Sequence, residues 1–176
     1  MAIPTMTTTR LTLRPFSDED AEPLHRILGE EGVLRYFPSS DPPTLERMQR
    51  FIAGQLKQWQ EHGLGWWAVE PRAEKRLIGW NGLQYLPETG ETEVGFLLDE
   101  AYWGQGLATE GARVGLLFGF DTLKLEQIIA LVHPENEASQ RVIAKLGMPL
   151  VERTQYFGMD VYRYVLSASA FRLQRS

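Results

Sequence analysis

Residues 93–112 read EVGFLLDEAYWGQGLATEGA and contain the transition that decides the fold. The apolar run from Glu91 to Leu98 predicts a strand. Gly104 and Gly106 predict a tight turn, because glycine adopts conformations and close approaches that a Cβ atom would block. A helix is predicted from Gly106 to Phe120. The unpaired amides at its N-terminus favour a phosphate or diphosphate group.

The glycine turn alone does not identify a binding site. A Gly-x-Gly turn before a helix is also common as a plain connector. The turn lacks the dinucleotide-binding fingerprint, because Thr109 occupies the position of the third glycine. It also lacks the P-loop pattern, in which Lys and then Ser or Thr follow the last glycine. The rest of the chain is therefore needed to interpret it.

The chain before the turn predicts one strand, two helices and a hairpin. Thr9–Pro15 alternates polar and apolar residues, which is typical of a half-buried strand. Ser17 precedes three acidic residues and predicts the N-cap of a helix that ends near Leu28. Apolar residues at three- and four-residue spacing predict a second helix over Pro42–His62. The hairpin is predicted from the strands Gly65–Glu70 and Arg76–Tyr85.

The chain after the turn predicts a buried strand, a helix and two final strands. Their ranges are Glu126–His133, Asn136–Leu146, Pro149–Thr154 and Phe157–Leu166, and residues beyond Ser167 are expected at the surface. This order predicts a mixed α/β (α+β) fold, a twisted and mostly antiparallel sheet of about seven strands flanked by about four helices. We expect residues 1–176 to form a single domain.

Three glycines, Gly111, Gly115 and Gly119, lie on one face of the helix that follows the turn. Glycine in a helix interior is unfavourable by about 1 kcal/mol relative to alanine, so a packing reason is expected. The spacing predicts close contact between this helix and the sheet.

Composition excludes several classes of site and partner. The chain has no cysteine, which excludes thiolate nucleophiles and Cys-based metal centres, and no metal site is expected. The net charge of −5 argues against nucleic-acid binding but would attract cationic amines. The chain has no apolar run long enough for a secretion signal or a membrane span, so we expect a cytoplasmic protein. The sequence leaves open whether it is a monomer or a homodimer.

Together with their surroundings, residues 93–112 resemble the coenzyme A-binding motif of the GNAT acetyltransferases. The resemblance is closest to the branch that contains ribosomal-protein N-terminal acetyltransferases, and it covers most of the chain. Residues 9–15, 77–83 and 136–147 resemble that branch's opening strand, hairpin and second conserved helix. One position departs from the superfamily, which usually has Arg or Gln where this chain has Trp103.

The resemblance implies a GNAT-like fold and the transfer of an acetyl group from acetyl-CoA, as cosubstrate, to a primary amine. The amine could be a protein N-terminal α-amine. The implied coenzyme-binding residues lie on the strand, the turn and the later helix: Phe96, Leu97, Leu98, Gly104, Gln105, Gly106, Leu107, Ala108, Thr109, Asn136 and Ser139.

The resemblance also implies the catalytic residues. Glu93 lies on the strand that leads into the turn, where many GNAT enzymes place a glutamate as general base. Many of them use a tyrosine as general acid at the position of Ile143. We expect Ser139 to take this role, by hydrogen-bonding or protonating the departing sulfur, with protonation by solvent as the alternative. Asn136 is expected to cap its helix and to contact the coenzyme arm.

The acceptor pocket is predicted from aromatic residues and the catalytic carboxylate. Trp80 and Tyr85 lie on the hairpin, Tyr36 and Phe37 precede the second helix, and Glu93 completes the set. Aromatic faces suit a cationic amine before it loses its proton. Two other acceptors or roles stay open: a polyamine or small-metabolite acetyltransferase, and a catalytically inactive coenzyme A-binding sensor. A nucleotide-binding enzyme that uses the glycine turn is a third.

Overall fold

Strand pairing builds one eight-stranded sheet in the computed structural model, which describes residues 2–175. In space the order is β1-β2-β3-β4-β5-β6-β8-β7, and only β5 and β6 pair in parallel. The strands are β1 Met6–Thr7, β2 Leu11–Arg14, β3 Trp66–Pro71, β4 Gly79–Leu86, β5 Glu91–Leu98, β6 Gln127–Val132, β7 Leu150–Tyr156 and β8 Met159–Ser167.

Within residues 2–175, five α-helices accompany the sheet: α1 Ala21–Leu28, α2 Leu45–His62, α3 Leu107–Leu117, α4 Glu137–Lys145 and α5 Ala168–Leu173. Their ends follow from local chemistry. The Thr44 side chain accepts a hydrogen bond from the Arg47 amide at the start of α2 (3.2 Å). Gly63 ends the same helix in the left-handed conformation, with φ of 68°.

The sheet separates two apolar cores because successive side chains in a strand point to opposite faces. On β3, Trp67 and Val69 belong to the core that α3 covers, whereas Ala68 belongs to the core under α1 and α2. The α3 core also contains Leu11 and Leu83, and the α1–α2 core contains Trp80.

The three glycines of α3 and of the turn after it lie against the sheet, as the sequence predicts. A Cβ atom on Gly115 would lie 3.4 Å from the Cα atom of Gly82 on β4. A Cβ atom on Gly111 would lie 2.5 Å from Nδ2 of Asn81. The packing reason for these glycines is therefore confirmed.

Strands β5 and β6 touch only briefly and then diverge. The register pair between them is Glu93 with Ile129, although β5 continues to Leu98 and β6 to Val132. Parallel neighbours in a regular sheet would pair along their length. The divergence opens a cleft between two half-sheets, and it positions the site described below.

The fold confirms the predicted mixed α/β architecture and differs from it in three details. A short strand β1 precedes the predicted first strand, which brings the strand count to eight. Residues after Ser167 form α5, and its Phe171 is 7% exposed against Phe120, so the predicted surface location of the whole tail is wrong. Phe157 lies in a turn before β8 and not in a strand. Within residues 2–175, each helix is too short or too polar to cross a membrane.

Candidate active site

A cavity of about 300 Å³ lies at the point where β5 and β6 diverge. Its wall is mainly apolar and aromatic. It receives residues from β3 to β6, from α4, from β7 and β8 with the turn between them, and from the connection between α1 and α2. The lining residues are Tyr36, Phe37, Pro38, Trp66, Trp80, Gln84, Glu93, Val94, Gly95, Phe96, Ala130, Leu131, Val132, Asn136, Ser139, Ile143, Tyr156, Phe157, Met159 and Val161.

Glu93 is the carboxylate of this wall. It is half-buried, and it lies at the register pair that joins β5 to β6. Burial raises the pKa of Glu93 to about 8, and hydrogen bonding to the backbone amide of Leu131 opposes this only in part. A carboxylate with such a pKa can accept and release a proton near neutral pH.

The predicted pair on α4 lies on the same cavity wall. The Asn136 side chain caps the helix, accepting a hydrogen bond from the Ser139 amide at 3.1 Å. This is the predicted capping role. Asn136, Ser139 and Ile143 all line the cavity, since positions three and four residues apart share one helix face. The structure thus brings Ser139 and Glu93 to a common space.

The glycine turn presents free amides at the start of α3. Gly104 and Gly106 have φ of 71° and 78°, values that favour glycine. The first helical hydrogen bond runs from the Glu110 amide to the Gly106 carbonyl oxygen (3.0 Å), so the amides before Glu110 lack an intrahelical partner. This arrangement suits a diphosphate.

Other predicted coenzyme residues could offer a ligand backbone groups more than side chains. Leu97, Leu98, Leu107 and Thr109 are buried, so only their backbone groups can face a ligand. Of the other predicted residues, Gln105 lies in the glycine turn and Ala108 near the N-terminus of α3. Phe96 lines the cavity. Trp103 stands where the superfamily usually has Arg or Gln. It is 46% exposed, and its indole N–H donates to the Leu98 carbonyl oxygen at 2.7 Å.

Two ion-paired carboxylates hold the glycine turn, and the sequence prediction missed both. Asp99 is 3% exposed and accepts hydrogen bonds from Arg26 at 2.9 Å and Arg76 at 3.2 Å. Glu110 accepts hydrogen bonds from the Arg10 side chain at 2.7 Å, and Arg10 also donates to the Gln105 carbonyl oxygen at 2.8 Å. The acidic residues are visible in the motif, but their partners lie far away in the chain.

The predicted aromatic residues separate into two groups. Tyr36, Phe37 and Trp80 line the cavity, with Tyr36 stacked on His133 (ring centroids 5.2 Å apart). Tyr85 does not line the cavity, and its ring lies 4.3 Å from that of His62. The cause is strand alternation, because the neighbouring Gln84 occupies the cavity face.

Glu91 lies two residues before Glu93 on the same strand, and the protein itself neutralises it. Tyr156 donates a hydrogen bond to Glu91 at 2.6 Å, and Arg163 forms an ion pair with it. Burial raises the pKa of Glu91, but the hydrogen bonds from Tyr156 and Arg163 outweigh it, so this pKa lies below its ordinary value. The pKa values of the two carboxyl groups on this strand are therefore shifted in opposite directions, down for Glu91 and up for Glu93.

Comparison with known proteins agrees with this geometry. The family described as "Acetyltransferase (GNAT) domain" matches residues 10–149. The uncharacterized N-acetyltransferase YoaA of Bacillus subtilis is 32% identical over 145 residues, 82% of each chain. Spermidine N(1)-acetyltransferase of Escherichia coli K12 is 24% identical over 165 residues, covering 92% of this chain and 86% of that enzyme.

A solved structure shows the same fold. The acetyltransferase from Agrobacterium tumefaciens C58 superposes with a TM-score of 0.82 over 94% of this chain and 95% of that chain, at 27% identity. The family match spans the diverging strands, the glycine turn and α4, which are the elements that build the cavity and the free amides. The chain therefore belongs to the GNAT acetyltransferase family.

Proposed function

We propose that the protein transfers an acetyl group from acetyl-CoA to a primary amine, with Glu93 as the general base. The observation that carries this proposal is the position of Glu93 in the cleft between β5 and β6, on the strand that runs directly into the glycine turn. A diphosphate on the free amides of that turn would direct the attached arm along the cleft towards the cavity.

Proton transfer favours an α-amine as acceptor. Acetyl-CoA supplies a thioester, and the amine must be neutral to attack it. An α-ammonium group has a pKa of about 7.7–8.0, whereas a lysine ammonium group has about 10.4. Burial raises the pKa of Glu93 to about 8, which is a better match to the pKa of an α-ammonium group than to that of a lysine ammonium group. This match supports a protein or peptide N-terminal α-amine as the acceptor class.

Ser139 is our candidate for the group that assists the departing sulfur. It is half-buried, lines the cavity and lies on the α4 face that carries Asn136 and Ile143. A hydroxyl can donate a hydrogen bond to a thiolate as negative charge develops there.

We expect Ser139→Ala to lower kcat about tenfold, which is the effect of losing one hydrogen bond to developing charge. The melting temperature and the affinity for coenzyme A should stay unchanged. Steady-state kinetics with a saturating amine, with calorimetry of coenzyme binding, would measure this. Ser169→Ala is the matched control, because Ser169 lies on α5 and contacts Ser167. Equal kcat in the two variants would remove Ser139 from the mechanism.

The experiment that tests the function follows thiol release from acetyl-CoA with an amine panel. The panel contains a short peptide, an amino-acid amide, a lysine derivative and spermidine, each with mass spectrometry of the product. We expect acetylation of the α-amines. Coenzyme binding without turnover of any amine would instead indicate a sensor, and protection against heating by ATP or NAD alone would indicate a nucleotide-binding protein.

A further inference from the structure

The lining of the cavity offers one carboxyl group to an acceptor. Among the described residues that line it, Glu93 is the one with an acidic side chain. The next carboxylate on the same strand, Glu91, is already bound by Tyr156 and Arg163. A second ammonium group in the acceptor would therefore lose its water without gaining a free carboxylate, which is unfavourable.

Aromatic rings from two separate segments form the exposed edge of the cavity. Phe37, from the connection between α1 and α2, is 40% exposed, and Phe157, from the β7–β8 turn, is 57% exposed. Behind them, Trp66 and Trp80 stack with their ring centroids 5.3 Å apart. Large rings exposed beside a cavity favour an apolar ligand group, because binding removes both surfaces from water.

Phe157 occupies a backbone position that does not suit it. Tyr156 pairs with Met159, so the β7–β8 loop has two residues, Phe157 and Gly158, with φ of 53° and 74°. Such turns favour Asn-Gly, because a Cβ atom makes this region of φ unfavourable. An exposed phenylalanine gains little there beyond an edge contact with the Tyr156 ring, whose centroid lies 6.1 Å away. Strain of this kind at the edge of a ligand cavity indicates a function for the ring.

We propose that the acceptor is an α-amine whose side chain is aromatic or large and aliphatic, and that Phe37 and Phe157 hold this side chain while the amine reaches Glu93. The enzyme would discriminate against polyamines. This inference rests on the proposed acetyltransferase function and specifies its substrate class. Both free amino-acid derivatives and peptide N-termini carry the required chemistry.

The substrate test compares side chains at equal amine chemistry. Phenylalaninamide and leucinamide are compared with glycinamide and spermidine, at constant acetyl-CoA. We expect kcat/KM for phenylalaninamide to exceed that for glycinamide about tenfold, because one buried ring contributes at least this much. Peptides that begin with Phe or with Gly, offered at the same concentrations, show whether the source is a free amide or a chain terminus.

The variant test uses Phe157→Asn. Asparagine suits the turn better, so the melting temperature should rise or stay equal while KM for phenylalaninamide increases about fivefold, as expected for the loss of aromatic contacts. KM for glycinamide should increase much less, because glycinamide has no side chain for the ring to contact. Lys124→Asn is the matched control, because Lys124 is another residue with positive φ, 58°, and does not line the cavity. It should leave both KM values unchanged.

The outcomes separate this inference from the proposed function. Acetylation of spermidine at least as efficient as that of phenylalaninamide would overturn the inference and leave the acetyltransferase function intact. The same holds if KM for phenylalaninamide is equal in the native protein and in Phe157→Asn. If no amine is acetylated although coenzyme A binds, the proposed function fails and the inference fails with it.

Discussion

Glu93→Gln is expected to lower kcat for an α-amine acceptor by about 10²- to 10⁴-fold, the range typical of a lost general base. Glutamine has the same shape but cannot accept the proton of the ammonium group. The affinity for coenzyme A should change little, because the free amides of the glycine turn belong to a different part of the cleft. Steady-state kinetics and calorimetry on the same preparation would measure the two effects separately.

The pH dependence identifies the group responsible. Burial raises the pKa of Glu93 to about 8, so activity should increase with pH up to about that value as the carboxylate loses its proton. An α-ammonium group loses its proton in the same range, at about 7.7–8.0, so in Glu93→Gln this limb of kcat should become shallower and not vanish. Glu91→Gln is the control, because Glu91 lies on the same strand but is already paired with Arg163. An unchanged pH profile in Glu93→Gln would show that another group is the base.

The same shift affects stability with a definite sign. The native state holds the Glu93 proton more tightly than the unfolded chain does, because the pKa is about 8 in the fold and 4.5 without it. The contribution of the Glu93 proton to the unfolding free energy is therefore fully present below pH 4.5 and is lost as the pH rises through about 8. Relative to Glu93→Gln, the native protein should lose unfolding free energy across this interval, which denaturant titrations at several pH values would detect.

Gly79→Ala is expected to destabilise the fold by about 3 to 5 kcal/mol, the sum of backbone strain and overpacking. Gly79 has a φ of 143°, and a Cβ atom there would lie 2.0 Å from the carbonyl oxygen of Leu97. Because the crowding atoms belong to the backbone, no flexible group could move away. The Asp99 amide donates to the carbonyl oxygen of the neighbouring Ile78 at 2.7 Å, so the strain would also displace the start of the glycine turn.

Gly54→Ala provides the matched control for this prediction. Gly54 is exposed in the middle of α2, and a Cβ atom there would have nothing within 4 Å. Alanine should therefore stabilise the helix by about 1 kcal/mol. Thermal unfolding of both variants would measure the contrast, with a fall of about 10 °C for Gly79→Ala. Equal melting temperatures would contradict the steric argument.

The parts of the fold and site that were predictable depend on local signals. The strand Glu91–Leu98, the glycine turn and the helix after it follow from apolar periodicity and from two glycines within a few residues. The capping role of Asn136 follows from its place after Pro134 and before a helix. The position of Glu93 in the cleft required the family resemblance, because a carboxylate on a strand is exposed in most sheets.

The parts that were missed depend on distant contacts or on a one-residue shift. Tyr85 is predicted in the pocket, but alternation along β4 gives that face to Gln84. The Glu91–Arg163 pair joins residues 72 apart in the chain, and neither one alone indicates it. The burial of Phe171 was missed because a single aromatic residue in a short polar segment does not show what it packs against.

The brief contact between β5 and β6 gives the sheet a seam. On one side, β1 to β5 pair in sequence, and on the other side β6, β8 and β7 form their own unit. A single register pair joins the two units in the sheet, so the apolar core that contains residues of both, such as Val94 and Ile128, holds them together. A cosubstrate arm lying in the seam would contact both units, and we expect it to add to the stability of their junction.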